Sequence, residues 1–200
     1  YIKKNGKLEA SDWNEGLDEC LSLIKEYKPE ETAFIIGDFI DLETSFLIKK
    51  LSNELGVKNI ECRQEGVKIP YSDRSQYVFN STINGIEETD CILIVGSNIR
   101  EEAPIINTRI RKQLLNSNIP IGLIGEQHDL TYDYEHLGND LNILSQISEG
   151  ENDFCKKLEN AKKPMIIIGQ SLLTRDDCLS AFSLIENIIH KYSFILSDWN

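Results

Sequence analysis

The residues best placed to do chemistry are short turns that each follow an apolar run: Gly37-Asp38, Gly96-Ser97-Asn98, Gly125-Glu126 and Gly169-Gln170. Glycine lets a backbone approach a ligand closely, and free N–H groups at the start of a following helix attract anions. Turns of this kind at the carboxyl ends of parallel strands are where open α/β sheets bind nucleotides. If the four runs share one sheet, the four turns line one edge of it. None matches G-x-G-x-x-G or a P-loop, so the dinucleotide and nucleoside-triphosphatase fingerprints are absent. The neighbouring charges also oppose phosphate. Glu101 and Glu102 are expected in the first turn of the helix after Gly96, Asp38 takes the same place at the first crossing, and Arg100 is the compensating cation nearby. A carboxylate there meets the positive end of the helix dipole, an interaction of roughly 0.3–1 kcal/mol, and holds the place an anion would take.

A second cluster, Glu126, His128, Asp129 and His136, carries the side chains that ligate zinc or non-haem iron. Its spacing argues against a metal. His128 and His136 are eight positions apart in a loop that also holds Tyr132 and Tyr134, with no i, i+4 helical pair. Such a loop is expected to fold its rings over the sheet edge with their hydroxyls bonded. His190 reads as a surface residue favoured by a helix end. Ser11, Ser97 and Ser117 lack a G-x-S-x-G elbow and an evident base, so hydrolase chemistry is not expected. Arg109, Arg111 and Lys112 form a solvated helix face or an interface patch. Neither a catalytic residue nor a metal site is assigned.

The elements that must position these turns alternate. Trp13, Leu17, Cys20, Leu21, Ile24 and Tyr27 form the stripe of an amphipathic helix capped by Asp12 and Glu15 and ended near Pro29. Thr32 to Ile36 is an apolar strand, followed by a helix with Leu42, Phe46, Leu47, Leu51 and Leu55, capped by Asp41 and stopped at Gly56. Val57 to Cys62 reads as a short strand, and 63–80 as a long loop with one helical turn near 73–79. Strands at 91–95, 119–124 and 164–168 then alternate with helices at 103–116, 141–147, 152–160 and 176–191, and a last strand falls at 194–196. Near-continuous apolar strands separated by helices predict an α/β fold: a doubly wound, mostly parallel sheet with helices on both faces. One domain over 1–200 is expected, with a leading helix in 1–30 and an alternating βα core in 31–200.

Composition bounds the partners. With 40% apolar residues, 27% charged and 8% aromatic, 200 residues suffice for an ordered core. A net charge of −12 repels polyphosphate backbones, so nucleic acid is excluded as a partner. No apolar run approaches the ~20 residues of a membrane helix, so direct membrane insertion is not expected. Cys20, Cys62, Cys91, Cys155 and Cys178 are scattered and odd in number, which fits free thiols rather than a disulfide framework or a C-x-x-C metal site. The chain opens on Tyr1 rather than Met and closes on a strand-like run, as expected of a piece of a longer protein.

Several motifs together resemble a known family. Gly96-Ser97-Asn98, followed by Pro104 and Arg109-Ile110-Arg111, is similar to the Gly-Ser-Asn segment of the molybdopterin oxidoreductase superfamily, with Ile99 where that superfamily usually has Pro. Asp12-Trp13-Asn14-Glu15 resembles its opening signature, and residues 81–90 the segment leading into its Gly-Ser-Asn strand. Three longer stretches, 37–43, 62–66 and 125–138, resemble the family of the large iron–sulfur subunit of respiratory complex I, an NADH:quinone oxidoreductase of the electron-transport chain. The likeness covers essentially the whole chain, and residues 125–138 are its most specific part.

The resemblance implies the Rossmann-like middle portion of that subunit. It implies a structural scaffold, itself non-catalytic, that supports electron transfer from NADH to quinone through 2Fe-2S and 4Fe-4S clusters held outside this segment. No cofactor is expected in it. Gly96, Ser97 and Asn98, with Gly37 and Gly169 as weaker candidates, are then vestiges of a pterin-dinucleotide site. The partners implied are other domains of the same subunit and other peripheral-arm subunits of complex I. The place implied is peripheral, on the cytoplasmic side of a bacterial inner membrane or the mitochondrial matrix side. The competing reading is a functional molybdopterin or guanine dinucleotide-binding domain of an oxidoreductase.

Overall fold

The computed structural model describes residues 1–37, 39–62, 66–70 and 76–195. Two compact units account for the chain, 1–65 and 66–200. A chain of 200 residues leads the sequence reading to one domain over 1–200; the strands of the first unit pair only with one another.

The first unit opens with a hairpin, β1 (Ile2–Lys4) and β2 (Lys7–Glu9), turned by Asn5 and Gly6, both at positive φ. Asn-Gly is the pair that tolerates such a turn. Helix α1 (Trp13–Glu26) starts where Asp12 Oδ1 accepts the Glu15 amide at 2.8 Å. Strand β3 (Ala33–Ile35) pairs in parallel with β4 (Asn59–Glu61) across α2 (Leu42–Leu55). Asp41 caps α2 through the Thr44 amide at 2.7 Å, and Gly56 ends it in the left-handed conformation, both as the sequence predicts. Thr44, through its backbone and then its hydroxyl, holds the Asp41 carboxyl below its usual range. Helix α1 buries no residue and α2 buries only Ser52, so Trp13, Leu17, Leu21, Phe46 and Leu47 stand exposed.

The second unit holds a four-stranded, wholly parallel sheet of order β7-β6-β5-β8. After a single helical turn, α3 (Thr82–Gly85), the strands are β5 (Cys91–Val95), β6 (Ile121–Ile124), β7 (Glu135–Gly138) and β8 (Pro164–Ile168). All of β5 is buried, and its side chains alternate between two cores. Ile92 and Ile94 pack with Ile99, Ile110 and Leu130. Cys91, Leu93 and Val95 pack with Leu144, Phe154, Leu158 and Ile185 on the opposite face. One face is therefore covered by α5 (Pro104–Asn116), the other by α6 (Asn142–Glu149), α7 (Cys155–Asn160) and α9 (Cys178–Lys191). This is the doubly wound α/β arrangement the apolar runs predict. Burial also pushes the Cys91 thiol up to about 12, leaving it protonated at neutral pH.

Several short elements differ from the sequence reading, the β1–β2 hairpin among them. A short strand β7 lies within the expected Tyr/His loop, and a one-turn helix α8 (Gln170–Leu173) precedes α9. Phe194 and Ile195 are not in a strand. Leu196, residues 63–65 and 71–75 of the 63–80 loop, and with them the first three positions of its expected helical turn, fall outside the described residues.

Candidate functional site: the switch point of the sheet

Strand order places the reversal of winding between β5 and β8, because the chain moves outward from β5 through β6 to β7 and then crosses back to the other side of β5. In open α/β sheets the ligand crevice lies beyond the carboxyl ends of the two strands at this reversal. Gly96-Ser97-Asn98 follows β5 and Gly169-Gln170 follows β8, so the sequence candidates from these turns converge there. Gly125, after β6, is their neighbour: a Cβ on it would come 3.4 Å from the Gly96 Cα. Gly37 belongs to a different sheet. It follows β3 in the first unit, whose strand pairs only with β4, so the four turns do not line one edge. Asp38, its partner in the sequence argument, lies outside the described residues.

The sheet's hydrogen bonding runs on past the strands and draws these loops together. Gly96 N donates to Ile124 O, Gly125 N to Gly138 O and Gly169 N to Val95 O, each at 2.8 Å. At Gly96 the backbone is left-handed, with φ +63°. Its carbonyl accepts the Ser171 hydroxyl at 2.6 Å. A Cβ on Gly169 would stand 2.2 Å from Gly96 O and 2.3 Å from Ser97 Cβ, so the two loops meet backbone to backbone with no room between them. Ser97 is buried by this contact.

Above that floor sits a carboxylate. The helix expected from about Ala103 is α5, with Pro104 at its first position, and a further single turn, α4 (Ile99–Glu102), precedes it after the Gly96 loop. Glu101 and Glu102 lie in that single turn, the first helical turn after Gly96, where the sequence expects them. Glu102 folds back, its Oε1 accepting the Asn98 amide at 2.8 Å and its Oε2 the Gln170 amide at 3.3 Å. The expected anion place is thus filled by a side chain of the protein, by a route the sequence does not reveal. Asn98 Oδ1 is buried without a hydrogen-bond partner, the one such side-chain atom among the described residues. Arg100 does not compensate the acidic pair. Its Nη1 donates to Asp129 Oδ2 at 2.7 Å and to Asp129 O at 3.0 Å. The Thr131 amide first, and Arg100 second, hold the Asp129 carboxyl below its usual range.

The Tyr-rich loop folds with its hydroxyls bonded, as the sequence predicts. Tyr132 donates to Asn107 Oδ1 at 2.7 Å, while Asn107 Nδ2 donates to Leu130 O, stapling the loop to α5; burial drives the Tyr132 hydroxyl well above its ordinary pKa. Tyr134 donates to His128 O at 2.6 Å and its hydroxyl accepts the His128 amide. His136 Nε2 lies 2.7 Å from the Gly125 carbonyl, which can only accept, so this nitrogen carries its proton there. Among the described residues no three His, Cys, Asp or Glu side chains come together as a metal site would require. Glu87 pairs with both Arg109 and Lys112, which ties the basic face of α5 to the segment before β5. Lys112, ahead of Arg109, holds the Glu87 carboxyl low.

Fold and site define a class: a doubly wound sheet of the dinucleotide-binding kind, with a Gly-Ser-Asn loop at its switch point. The chain belongs to the molybdopterin oxidoreductase family, whose sequence model matches residues 1–200. Within that family it is similar to an NADH-quinone oxidoreductase subunit of Rickettsia typhi, at 39% identity over 199 residues that cover 100% of this chain and 30% of that protein. The corresponding subunit of Rickettsia prowazekii is 38% identical over the same shares. The mitochondrial NADH dehydrogenase [ubiquinone] iron-sulfur protein 1 of Solanum tuberosum is 35% identical over 98% of this chain and 27% of its own length. The chain thus spans about three tenths of the curated relatives it matches. The resemblance to the large complex I subunit, drawn from short motifs, holds along the whole chain. Among the described residues no helix is long and apolar enough to cross a membrane.

Proposed function

We propose that this chain is a non-catalytic scaffold within an NADH:quinone oxidoreductase subunit, supporting electron transfer from NADH to quinone through iron–sulfur clusters held in other parts of that subunit. One observation carries the reading: the switch-point crevice is closed from within. A pterin dinucleotide would need the loop amides for its phosphates and space between the loops for its chain. Here the Asn98 and Gln170 amides donate to Glu102, and Gly169 lies in backbone contact with Gly96 and Ser97. These residues do not fit such a group. Gly96, Ser97, Asn98 and Gly169 act in this reading as packing surfaces, and no side chain here is assigned to catalysis or to a metal.

The partners proposed are other domains of the same subunit and other peripheral-arm subunits of complex I. The exposed stripe of α1 and the exposed Phe46 and Leu47 of α2 support this, since apolar faces of that kind mark contact surfaces. The proposed location is peripheral, on the cytoplasmic face of a bacterial inner membrane or the matrix face of a mitochondrial one. The bacterial and mitochondrial relatives support that placement. The rival reading, a working dinucleotide-binding domain, draws on the unpartnered Asn98 Oδ1 alone. Elemental and nucleotide analysis of the purified parent subunit separates the two. Iron without stoichiometric molybdenum, and no guanine nucleotide released on denaturation, is the expected result; one molybdenum or one guanine nucleotide per subunit contradicts the scaffold.

A further inference from the structure

We propose that Glu102 is an intramolecular stand-in for the anion a doubly wound sheet receives at its switch point, and that its carboxylate keeps the two loops joined without a ligand. This rests on the scaffold reading and names the residue responsible for it. Amides from two separate loops, 72 positions apart in sequence (170 − 98), converge on one carboxylate and each meets a different oxygen. A phosphate at that place would be held in the same way, by backbone N–H groups directed at separate oxygens.

The carboxylate is held by those amides and not by a cation. Among the described residues no ion pair involves Glu102, and Arg100, two positions before it, is committed to Asp129. A surface glutamate placed for charge balance would be found against Lys or Arg instead. The break between α4 and α5 puts it in reach: Ala103 has the non-helical angles φ −145°, ψ 67°, so Glu102 closes one turn and returns to the amide at the start of that turn. Asn98 supplies the independent sign. The residue whose amide grips the carboxylate also keeps a buried side-chain oxygen with no donor, a need that the carboxylate, an acceptor only, does not meet.

The test uses Glu102→Ala and Glu102→Gln in the whole chain, with inorganic pyrophosphate as probe and sodium chloride of equal ionic strength as control. Wild type is expected to melt at the same temperature with and without millimolar pyrophosphate. Glu102→Ala is expected to melt about 2–4 °C lower, as the loss of a charged acceptor shared by two amides implies, and to regain at least half of that with pyrophosphate but not with chloride. Glu102→Gln keeps the shape and one acceptor oxygen, so it should fall between the two. It also decides the matter if the alanine variant does not fold, because it must respond to pyrophosphate more than wild type does. Variants that melt as wild type, or that melt lower and ignore pyrophosphate, overturn the proposal while leaving the scaffold intact. Wild type stabilised by pyrophosphate would instead show that the scaffold reading itself has failed.

Discussion

Gly169→Ala is expected to destabilise the 66–200 unit by about 3 kcal/mol or more, lowering its melting transition by roughly 6–12 °C. The added methyl group would lie 2.2 Å from Gly96 O, 2.6 Å from Ser97 Cα and 2.3 Å from Ser97 Cβ. Two of these are backbone atoms and the third is fixed to the backbone, so no side-chain rotation relieves the clash. The loops after β5 and β8 must separate, and with them the bond from Gly169 N to Val95 O and the bridge through Glu102. Gly16→Ala is the control. It lies inside α1 with nothing within 4 Å of the new Cβ, and a helical Gly-to-Ala change of this kind should stabilise by about 0.5–1 kcal/mol. Calorimetry on the two variants reads both effects. A Gly169→Ala protein that melts within a degree of wild type would mean that the loops are not in contact.

Phe154→Ala is expected to cost about 3–5 kcal/mol, because the ring is wholly buried beneath the sheet among Leu93, Leu144 and Leu158. A sharper form of this prediction couples it to Gly122 in β6. A Cβ on Gly122 would come 2.9 Å from Phe154 Cζ and 3.0 Å from Leu137 Cδ1, so Gly122→Ala alone should also destabilise. With the ring removed, most of that crowding disappears and the new methyl group fills part of the cavity. The double variant should therefore be at least about 1 kcal/mol more stable than the sum of the single losses predicts. Urea unfolding of the four proteins in the cycle measures this, and strict additivity would show that ring and glycine do not touch.

What is legible in the sequence follows from the length of each signal. The runs Cys91–Val95, Ile121–Ile124 and Pro164–Ile168 are apolar because a parallel strand is covered on both faces, and each is recognisable without a partner. Asp12, Asp41 and Gly56 mark their helix ends because a cap is a local event of three or four residues. Strand β7, Glu135–Gly138, escapes the sequence reading because it lies at one end of the sheet and is only half-buried, so polar Glu135 and His136 interrupt any apolar run. The β1–β2 hairpin has a usable sign in Asn5-Gly6, but flanking strands of three residues each show no period to go with it. Pairing is the larger blind spot. A strand's own residues do not say which sheet it joins, so sequence alone assigns β3 and its Gly37 to a sheet of which they are not part.

The candidate site shows the same limit more finely. Gly96, Ser97, Asn98 and Gly169 can be picked out because a loop after an apolar strand has a recognisable place in the fold. The acidic character of Glu101-Glu102 warns against a bound phosphate, and the pair does stand in the first helical turn after Gly96. A four-residue helix such as Ile99–Glu102 is too short to display a period, so α4 itself goes unread, and with it the fold-back of Glu102 onto Asn98. The contact across the switch point depends on two loops far apart in the chain, which local spacing cannot register.

A pocket closed by the protein's own atoms, inside an architecture that has stayed intact, should be indifferent to the ligand it was shaped for. Calorimetric titration of the chain with guanosine diphosphate tests this most directly, because that ligand presents the diphosphate and purine a working dinucleotide site would seize. The prediction is no saturable heat up to millimolar concentration. Saturable binding in the micromolar range, lost when Gly169 is changed to Ala, would contradict it.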